Sequence, residues 1–159
     1  MRKRMLGLGI VKTTLSVLIL VIVALVAFFE GRKAYLDYQV RELCAKDGGV
    51  KVYETVTLPA DRFDKFDNVK VPIRAAALTT DPYYYEKETY YYKQGNPDLW
   101  RSELRIVRAR DKKLIGTEIR YVRRGGDFPS PMHDSSFGCP AIGSYPGLER
   151  EVFVKGIAK

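Results

Sequence analysis

The sequence predicts an α+β protein: a membrane-spanning N-terminal helix that continues into a juxtamembrane helix, then a small domain with a mainly antiparallel β-sheet. Three observations support this fold class. Residues 15–29 are apolar apart from Ser16. The hydrophobic period changes from three and four residues before Gly48 to two residues after it. Two alternating runs flank Asp111-Lys112, as in a β-hairpin.

The apolar run is the predicted membrane anchor. A bilayer core about 30 Å thick needs about 20 helical residues, and counting back from Phe29 to Gly7 gives roughly 34 Å of helix. We therefore predict an anchor over residues 13–29, with the helix extending back to Gly7, and the lipid bilayer as its partner. A cleaved signal peptide is the alternative, but the run ends in Phe28-Phe29-Glu30 rather than in small residues.

The distribution of basic residues predicts the orientation of this anchor. Four basic side chains and no acidic ones precede the run: Arg2, Lys3, Arg4 and Lys12. The flank on its C-terminal side carries Arg32, Lys33 and Arg41, so the positive-inside bias places residues 1–12 in the cytoplasm as a basic stub. The domain is then exported. The opposite orientation, with a basic surface that meets anionic lipid or nucleic acid in the cytoplasm, is the alternative.

Composition limits the chain beyond the anchor to one domain. The formal charge of +8 falls to +4 beyond residue 29, because four of the 27 basic residues and none of the 19 acidic ones precede that point. A nucleic-acid binder usually has a denser basic patch, so we expect no nucleic-acid partner. We divide the rest of the chain into a juxtamembrane helix over residues 30–47 and a globular α+β domain over residues 48–159.

The juxtamembrane helix is predicted from an apolar stripe. Leu36, Val40 and Leu43 recur at spacings of four and three residues, and Gly48-Gly49 is a natural helix end because glycine accepts the left-handed conformation. Cys44 lies beside this stripe, so we expect it to be held against the surface on which the helix packs.

The next segments predict strands separated by breaks. Residues 50–58 alternate as a single strand that ends at a proline, and residues 60–68 suggest a loop or one helical turn. Pro72 makes the segment around it an edge strand or irregular. Residues 83–92 hold two tyrosine triplets, which favours a strand, and residues 94–97 then break the chain.

The most specific local prediction is a β-hairpin with a defined register. Residues 102–110 pair with residues 113–121 around Asp111-Lys112, either as a two-residue turn or as a four-residue loop in the same register. The predicted cross-strand pairs are Arg105 with Glu118, Glu103 with Arg120, Leu104 with Ile119, and Ile106 with Thr117. Each such pair contributes about 0.2 to 1 kcal/mol.

The C-terminal part is predicted as a long ordered loop and a last strand. Four prolines and three glycines between Asp127 and Leu148 are typical of a surface loop, and residues 151–155 form a plausible strand. The two cysteines bracket the domain, so in an oxidising compartment we predict a disulfide between Cys44 and Cys139 that ties this loop to the helix.

One stretch of the loop suggests chemistry. Ser136-Phe137-Gly138-Cys139 resembles part of the S-H-G-C-[IV]-R signature of L,D-transpeptidases, which are envelope enzymes that cross-link peptidoglycan, although Phe137 stands at the signature histidine. This resemblance implies a thiol enzyme with Cys139 as nucleophile. The one histidine, His133, lies six residues before Cys139, and a cysteine with a histidine can act as a nucleophile with its base. The structural alternative is a disulfide-bonded cysteine. No ligand pair has a recognised metal spacing, and we expect neither a metal nor another cofactor.

The favoured function is therefore non-enzymatic: an envelope interaction or accessory protein that holds a binding domain close to the membrane and meets a protein partner there. Exposed aromatic side chains can anchor such an interface. The alternative for the tyrosines is that half of them face the core and half cover a neighbouring strand. If this region binds a partner, the surface is predicted to comprise Tyr84, Tyr90, Tyr92, Trp100 and Arg101.

Overall fold

The computed structural model describes residues 2–127, 134–141 and 147–156, and for residues 2–11 it describes the backbone alone. Two helices and seven strands follow one another in these residues: α1 (Arg2–Asp47), β1 (Gly49–Val52), β2 (Val56–Leu58), β3 (Tyr83–Lys93), β4 (Asp98–Arg108), β5 (Leu114–Arg124), β6 (Ser136–Cys139), α2 (Leu148–Val152) and β7 (Phe153–Lys155). This order confirms the predicted α+β class with one long N-terminal helix.

Helix α1 is continuous from the apolar run to the domain. Its 46 residues span roughly 69 Å, and its N-terminal part is long and apolar enough to cross a membrane. The helix ends at Asp47, where the Gly48 N–H donates to the Cys44 carbonyl at 2.8 Å. Gly49 then adopts a φ of +109°, which is the positive-φ helix exit that the two glycines predicted.

The main sheet has the order β1-β5-β4-β3, and β6 also pairs with β5. All of these pairings are antiparallel. Strands β1 and β6 occupy successive stretches of the same edge of β5, since Gly49–Val52 pairs with residues 116–119 and Ser136–Cys139 with residues 121–124. Strand β5 is thus the centre of the domain. Strands β2 and β7 form a separate parallel pair.

Each face of the sheet carries its own hydrophobic cluster. Helix α1 covers one face through a cluster that consists of Val40, Cys44, Leu99, Ile119 and Tyr121. Helix α2 and β7 cover the other face through a cluster that consists of Tyr85, Ile106, Ile115, Leu148, Val152 and Phe153. The predicted stripe of the juxtamembrane helix is confirmed at Leu36 and Val40, which are both buried.

The predicted hairpin register was wrong by one residue. Strands β4 and β5 do pair, but Arg105 lies opposite Thr117 and not opposite Glu118. Next to the loop the pairing is two residues from the predicted one, since Val107 pairs with Leu114, and a β-bulge reduces this difference to one residue, since Ile106 pairs with Gly116. The extra residue is Ile115, which is fully buried in the α2 cluster. Burial of this side chain fixes the register, and a one-residue slip exchanges the two faces.

The predicted charge pairs of this hairpin were accordingly wrong. Arg105 Nε donates instead to Glu103 on its own strand at 2.7 Å, and Arg120 pairs with Glu118 on its own strand. Residues two apart on a strand share a face, so each of these arginines is paired with a glutamate on its own strand instead of one on the other strand of the hairpin. The loop is a four-residue one, closed by the Arg108 N–H bond to the Lys113 carbonyl at 2.9 Å.

The single strand predicted over residues 50–58 is divided into β1 and β2. The N–H groups of Tyr53 and Glu54 both donate to the Ile115 carbonyl, at 2.9 and 3.1 Å, so the chain turns away at the bulge. Strand β2 then pairs with β7. The segment around Pro72 is irregular, with an isolated bridge from Ile73 to Tyr85.

The C-terminal part also differs from its prediction. Four residues of the predicted loop form β6, which fills the edge of β5 beyond β1. The last strand is shorter than predicted, because Leu148–Val152 is helical and only Phe153–Lys155 pairs with β2. The tyrosine strand and the break after it are confirmed by β3 and by the start of β4.

Candidate functional site

A disulfide fastens α1 to the sheet. Cys44 and Cys139 are bonded, with their Cα atoms 5.9 Å apart and a sequence separation of 95, which confirms the predicted bridge. Cys139 lies in β6 opposite Tyr121. Its sulfur is therefore not a free thiol nucleophile in this structure, and His133, its proposed base, lies outside the described residues.

A buried arginine makes the second attachment. Arg123 on β5 has a side chain only 1% exposed, and its Nε donates to Asp37 of α1 at 2.6 Å. Its guanidinium also donates to the Gly125 carbonyl and, at 3.1 Å, to the Ser135 hydroxyl. This role of Arg123 was not predicted from the sequence. Its position two residues after Tyr121 and four after Ile119, on the same face of one strand, is the signal that could have suggested burial.

A carboxylate beside this arginine ties the chain after β5 to the same helix. Asp127 accepts hydrogen bonds from the Ser135 N–H and hydroxyl, both at 2.7 Å, and lies 3.2 Å from the Lys33 ammonium. Burial alone would raise the pKa of Asp127, but these hydrogen bonds and the nearby ammonium lower it to about 2. The carboxylate is thus ionised at neutral pH.

Contacts at both ends of the domain fix its orientation relative to the axis of α1. Asp47, at the end of the helix, accepts from the Tyr121 hydroxyl at 2.6 Å. Near the apolar run, Arg32 donates to the Asn96 carbonyl at 3.2 Å. The connection between β3 and β4 therefore lies at the end of the domain nearest the apolar run, and the connection between β4 and β5 lies at the opposite end.

The five residues predicted as a binding surface do not form one patch. Tyr84 is only 6% exposed, at the opposite end of β3 from the others, beneath Lys112. Trp100 packs against Tyr91, with ring centroids 6.0 Å apart. It lies on the face opposite Arg101, because consecutive strand residues alternate between faces.

The remaining three predicted residues do lie together, on the part of the sheet that α1 leaves uncovered. Tyr90 pairs with Arg101 across the two strands, and its ring meets Tyr92 edge-on at 5.0 Å. Tyr92 stacks on Tyr121 at 6.2 Å. Tyr90 is 62% exposed. The structure thus brings Tyr90, Tyr92 and Arg101 into one surface beside α1.

A row of ion pairs continues this surface across β4 and β3. Arg101 lies 3.6 Å from Asp47 and 2.6 Å from Glu103. Arg105 lies 2.7 Å from Glu103 and also pairs with Glu88. Burial tends to raise the pKa of Glu103, but hydrogen bonds from the two guanidinium groups outweigh it and lower that pKa. We call these five side chains the ionic row.

The described residues present this aromatic and charged surface rather than a metal centre. Among residues 12–127, 134–141 and 147–156, no group of three or more His, Cys, Asp or Glu side chains could hold a metal ion. Comparisons with protein-family models, with curated proteins and with solved structures find no match to this chain.

Proposed function

We propose that this chain is a membrane-anchored, non-enzymatic interaction protein of the cell envelope, whose domain lies outside the cytoplasm. The observation that carries the proposal is that one helix, α1, provides both the apolar segment and the surface on which the sheet is fastened. A disulfide and the buried pair of Arg123 with Asp37 secure that attachment. Such a domain is held at a set height above the bilayer.

Export is supported by the two cysteines. Disulfides persist in oxidising compartments and are rare in the cytosol, and the bond between Cys44 and Cys139 joins two separate elements of the fold. The basic stub over residues 1–12 favours the same orientation through the positive-inside rule. The cytoplasm-facing alternative would keep both cysteines reduced.

The surface that we propose for a protein partner is the uncovered half of the sheet. Tyr90 offers an exposed aromatic ring beside the ionic row. Tyrosine and arginine are enriched among the residues that anchor interfaces, and polar groups form the interface rim. The side chains of Glu103 and Arg105 are already partly desolvated by their neighbours. A partner that covers them therefore meets a pre-organised surface.

Topology can be tested directly. Alkaline phosphatase fused after Lys159 is expected to be active, whereas the same enzyme fused after Lys12 is expected to be inactive. Sequencing the mature N-terminus of the untagged protein is expected to find residues 1–29 retained. An inactive fusion after Lys159 would favour the cytoplasm-facing alternative, and a start beyond Ala24 would refute the anchor.

The enzyme alternative has its own test. Protein isolated without reductant is expected to carry no titratable thiol, because Cys44 and Cys139 are bonded. A reactive thiol at Cys139, together with an activity lost in both Cys139→Ser and His133→Ala, would instead support the thiol enzyme.

The protein interface can be located by photo-crosslinking in cells. A photoreactive phenylalanine analogue at Tyr90 is expected to yield a discrete higher-mass adduct. The matched control is the same analogue at Phe66, which is equally exposed, at 63%, but lies away from the sheet surface. Equal adduct patterns at both positions, or none at Tyr90, would contradict the proposed surface.

A further inference from the structure

A groove lies between α1 and the end of β3, immediately beyond the apolar run. It has a volume of about 520 Å³, and its lining includes Tyr35, Tyr38, Gln39, Tyr92, Lys93 and Leu99. The three tyrosines are well exposed, and Gln39 donates to the Tyr35 hydroxyl at 3.0 Å. Neither core cluster includes these rings.

The height of this groove follows from helix geometry. Tyr35 lies six residues after Phe29, the last apolar residue of the run, which is about 9 Å along the helix axis. The headgroup layer on each side of a bilayer is about 5 to 7.5 Å thick. Helical side chains lean toward the N-terminus, which for α1 is toward the bilayer. The Tyr35 ring is therefore expected at the outer edge of the headgroup layer.

The sheet brings Tyr92 and Lys93 to nearly the same level. The Arg32 bond to the Asn96 carbonyl holds the turn after β3 beside the first helical turn beyond the apolar run. Strand β3 lies two strands from β5, which is about 10 Å to one side of α1. Transmembrane helices tilt by about 20° on average, and a tilt toward β3 lowers this edge by roughly a further 3 Å.

The chemistry of the groove matches the membrane–water interface. Tyrosine is enriched at that interface because its ring is apolar and its hydroxyl is polar. Lys93 is exposed at the same edge and adds a positive charge, which anionic headgroups attract. Glu42, the acidic residue of the lining, lies seven residues beyond Tyr35 along α1, at the end of the groove away from the apolar run. The floor of the groove includes the apolar side chain of Leu99.

We propose that this groove lies against the phospholipid headgroups of the bilayer that α1 spans, so that the domain leans on its own membrane along the end of β3. The inference rests on the proposed membrane anchor and goes beyond it, because an anchored domain can also stand upright without touching lipid. It leaves Tyr90 and the ionic row, which lie further from the bilayer, available for the protein partner.

The test is fluorescence quenching of single tryptophans in the full-length protein, reconstituted in nanodiscs. Trp100→Phe removes the one native tryptophan. Into this background we place Tyr92→Trp as the reporter, Phe29→Trp as the control for insertion and Tyr53→Trp as the far-end control, since Tyr53 is exposed next to Ile115. The nanodiscs contain phosphatidylcholine brominated close to the glycerol backbone, with unbrominated lipid as the reference.

We expect bromolipid to quench Phe29→Trp and Tyr92→Trp at least twofold more than Tyr53→Trp. If Phe29→Trp is quenched but Tyr92→Trp matches Tyr53→Trp, the domain stands clear of the lipid and this inference is overturned while the anchor stands. If Phe29→Trp is not quenched, the anchor itself fails. Each variant must retain the Cys44–Cys139 disulfide, and Lys93→Trp replaces Tyr92→Trp if that variant does not.

Discussion

Arg123 Nε donates to Asp37 Oδ1 at 2.6 Å, across 86 residues of sequence, and thereby joins the central strand to the helix that continues from the apolar run. The Arg123 side chain is almost completely buried and that of Asp37 largely so. Breaking a buried ion pair leaves an uncompensated charge, which is much more destabilising than the loss of an exposed pair. This pair thus fixes how α1 lies on the sheet.

Asp37→Ala is therefore expected to lower the free energy of unfolding by about 3 kcal/mol. The matched control is Glu88→Ala, which removes an exposed partner of Arg105 and is expected to cost less than about 1 kcal/mol. Urea denaturation in detergent micelles measures both. Equal losses in the two variants would contradict the special role of the buried pair.

Loss of the disulfide is expected to destabilise the domain without changing its fold. The bridge closes a loop across 95 residues, so Cys44→Ser/Cys139→Ser is expected to lower the free energy of unfolding by about 2 to 5 kcal/mol. Dithiothreitol should lower the stability of the unmodified protein by a similar amount and leave the double variant unchanged. A double variant as stable as the unmodified protein would show that the bridge adds nothing to the other contacts of α1.

The low pKa of Asp127 predicts that the folded protein loses stability in acid. Its pKa is about 2 in the folded protein, below the ordinary value of about 3.9, so its contribution is fully present above about pH 4 and is lost as the pH falls through about 2. The melting temperature of Asp127→Asn should fall less between pH 4 and 2 than that of Asp61→Asn, which lies on the exposed turn at residues 60–62. Parallel pH profiles of the two variants would contradict this assignment.

Gly116 marks where α2 packs directly on the backbone of β5. A Cβ at this position would lie 2.6 Å from Val152 Cγ2 and 3.1 Å from Leu148 Cδ1, so Gly116→Ala is expected to destabilise by about 1 to 3 kcal/mol through overpacking. Gly138→Ala is the control, because its nearest neighbours would lie at 3.8 Å. Thermal melting of both variants tests this. A Gly116→Ala variant as stable as the unmodified protein would mean that α2 moves to make room for the added methyl group.

Local patterns in the sequence were sufficient for the elements but not for their pairing. The stripe through Leu36 and Val40, the glycines after α1 and the tyrosine strand were all predicted from neighbouring residues. The hairpin register was wrong because charges two residues apart on one strand are satisfied by each other as well as by a facing strand. The observed register includes a bulge at Ile115, whose side chain is buried against α2, more than thirty residues away in sequence.

The candidate site shows the same division. Tyr90, Tyr92 and Arg101 are predicted as surface residues because their side chain types suit an interface, and the pairing of β3 with β4 does bring them together. The sequence could not place Tyr35 beside Tyr92, because their proximity depends on how α1 crosses the sheet. Tyr84 was included for its neighbours in sequence, but the sheet buries it. Sequence patterns identified chemically suitable residues, and the topology decided which of them share a surface.

Because α1 runs without a break from the apolar run to the sheet, a rotation of its N-terminal part is transmitted to the whole domain. A helix turns about 100° and advances 1.5 Å for each residue, and α1 is clamped to the sheet by Cys44. One alanine inserted after Phe29 would therefore rotate the whole domain by about 100° around the axis of the apolar part of α1. Rotation of the apolar part of α1, for example by a neighbouring helix, would likewise turn the sheet surface in a new direction without any change in its own structure.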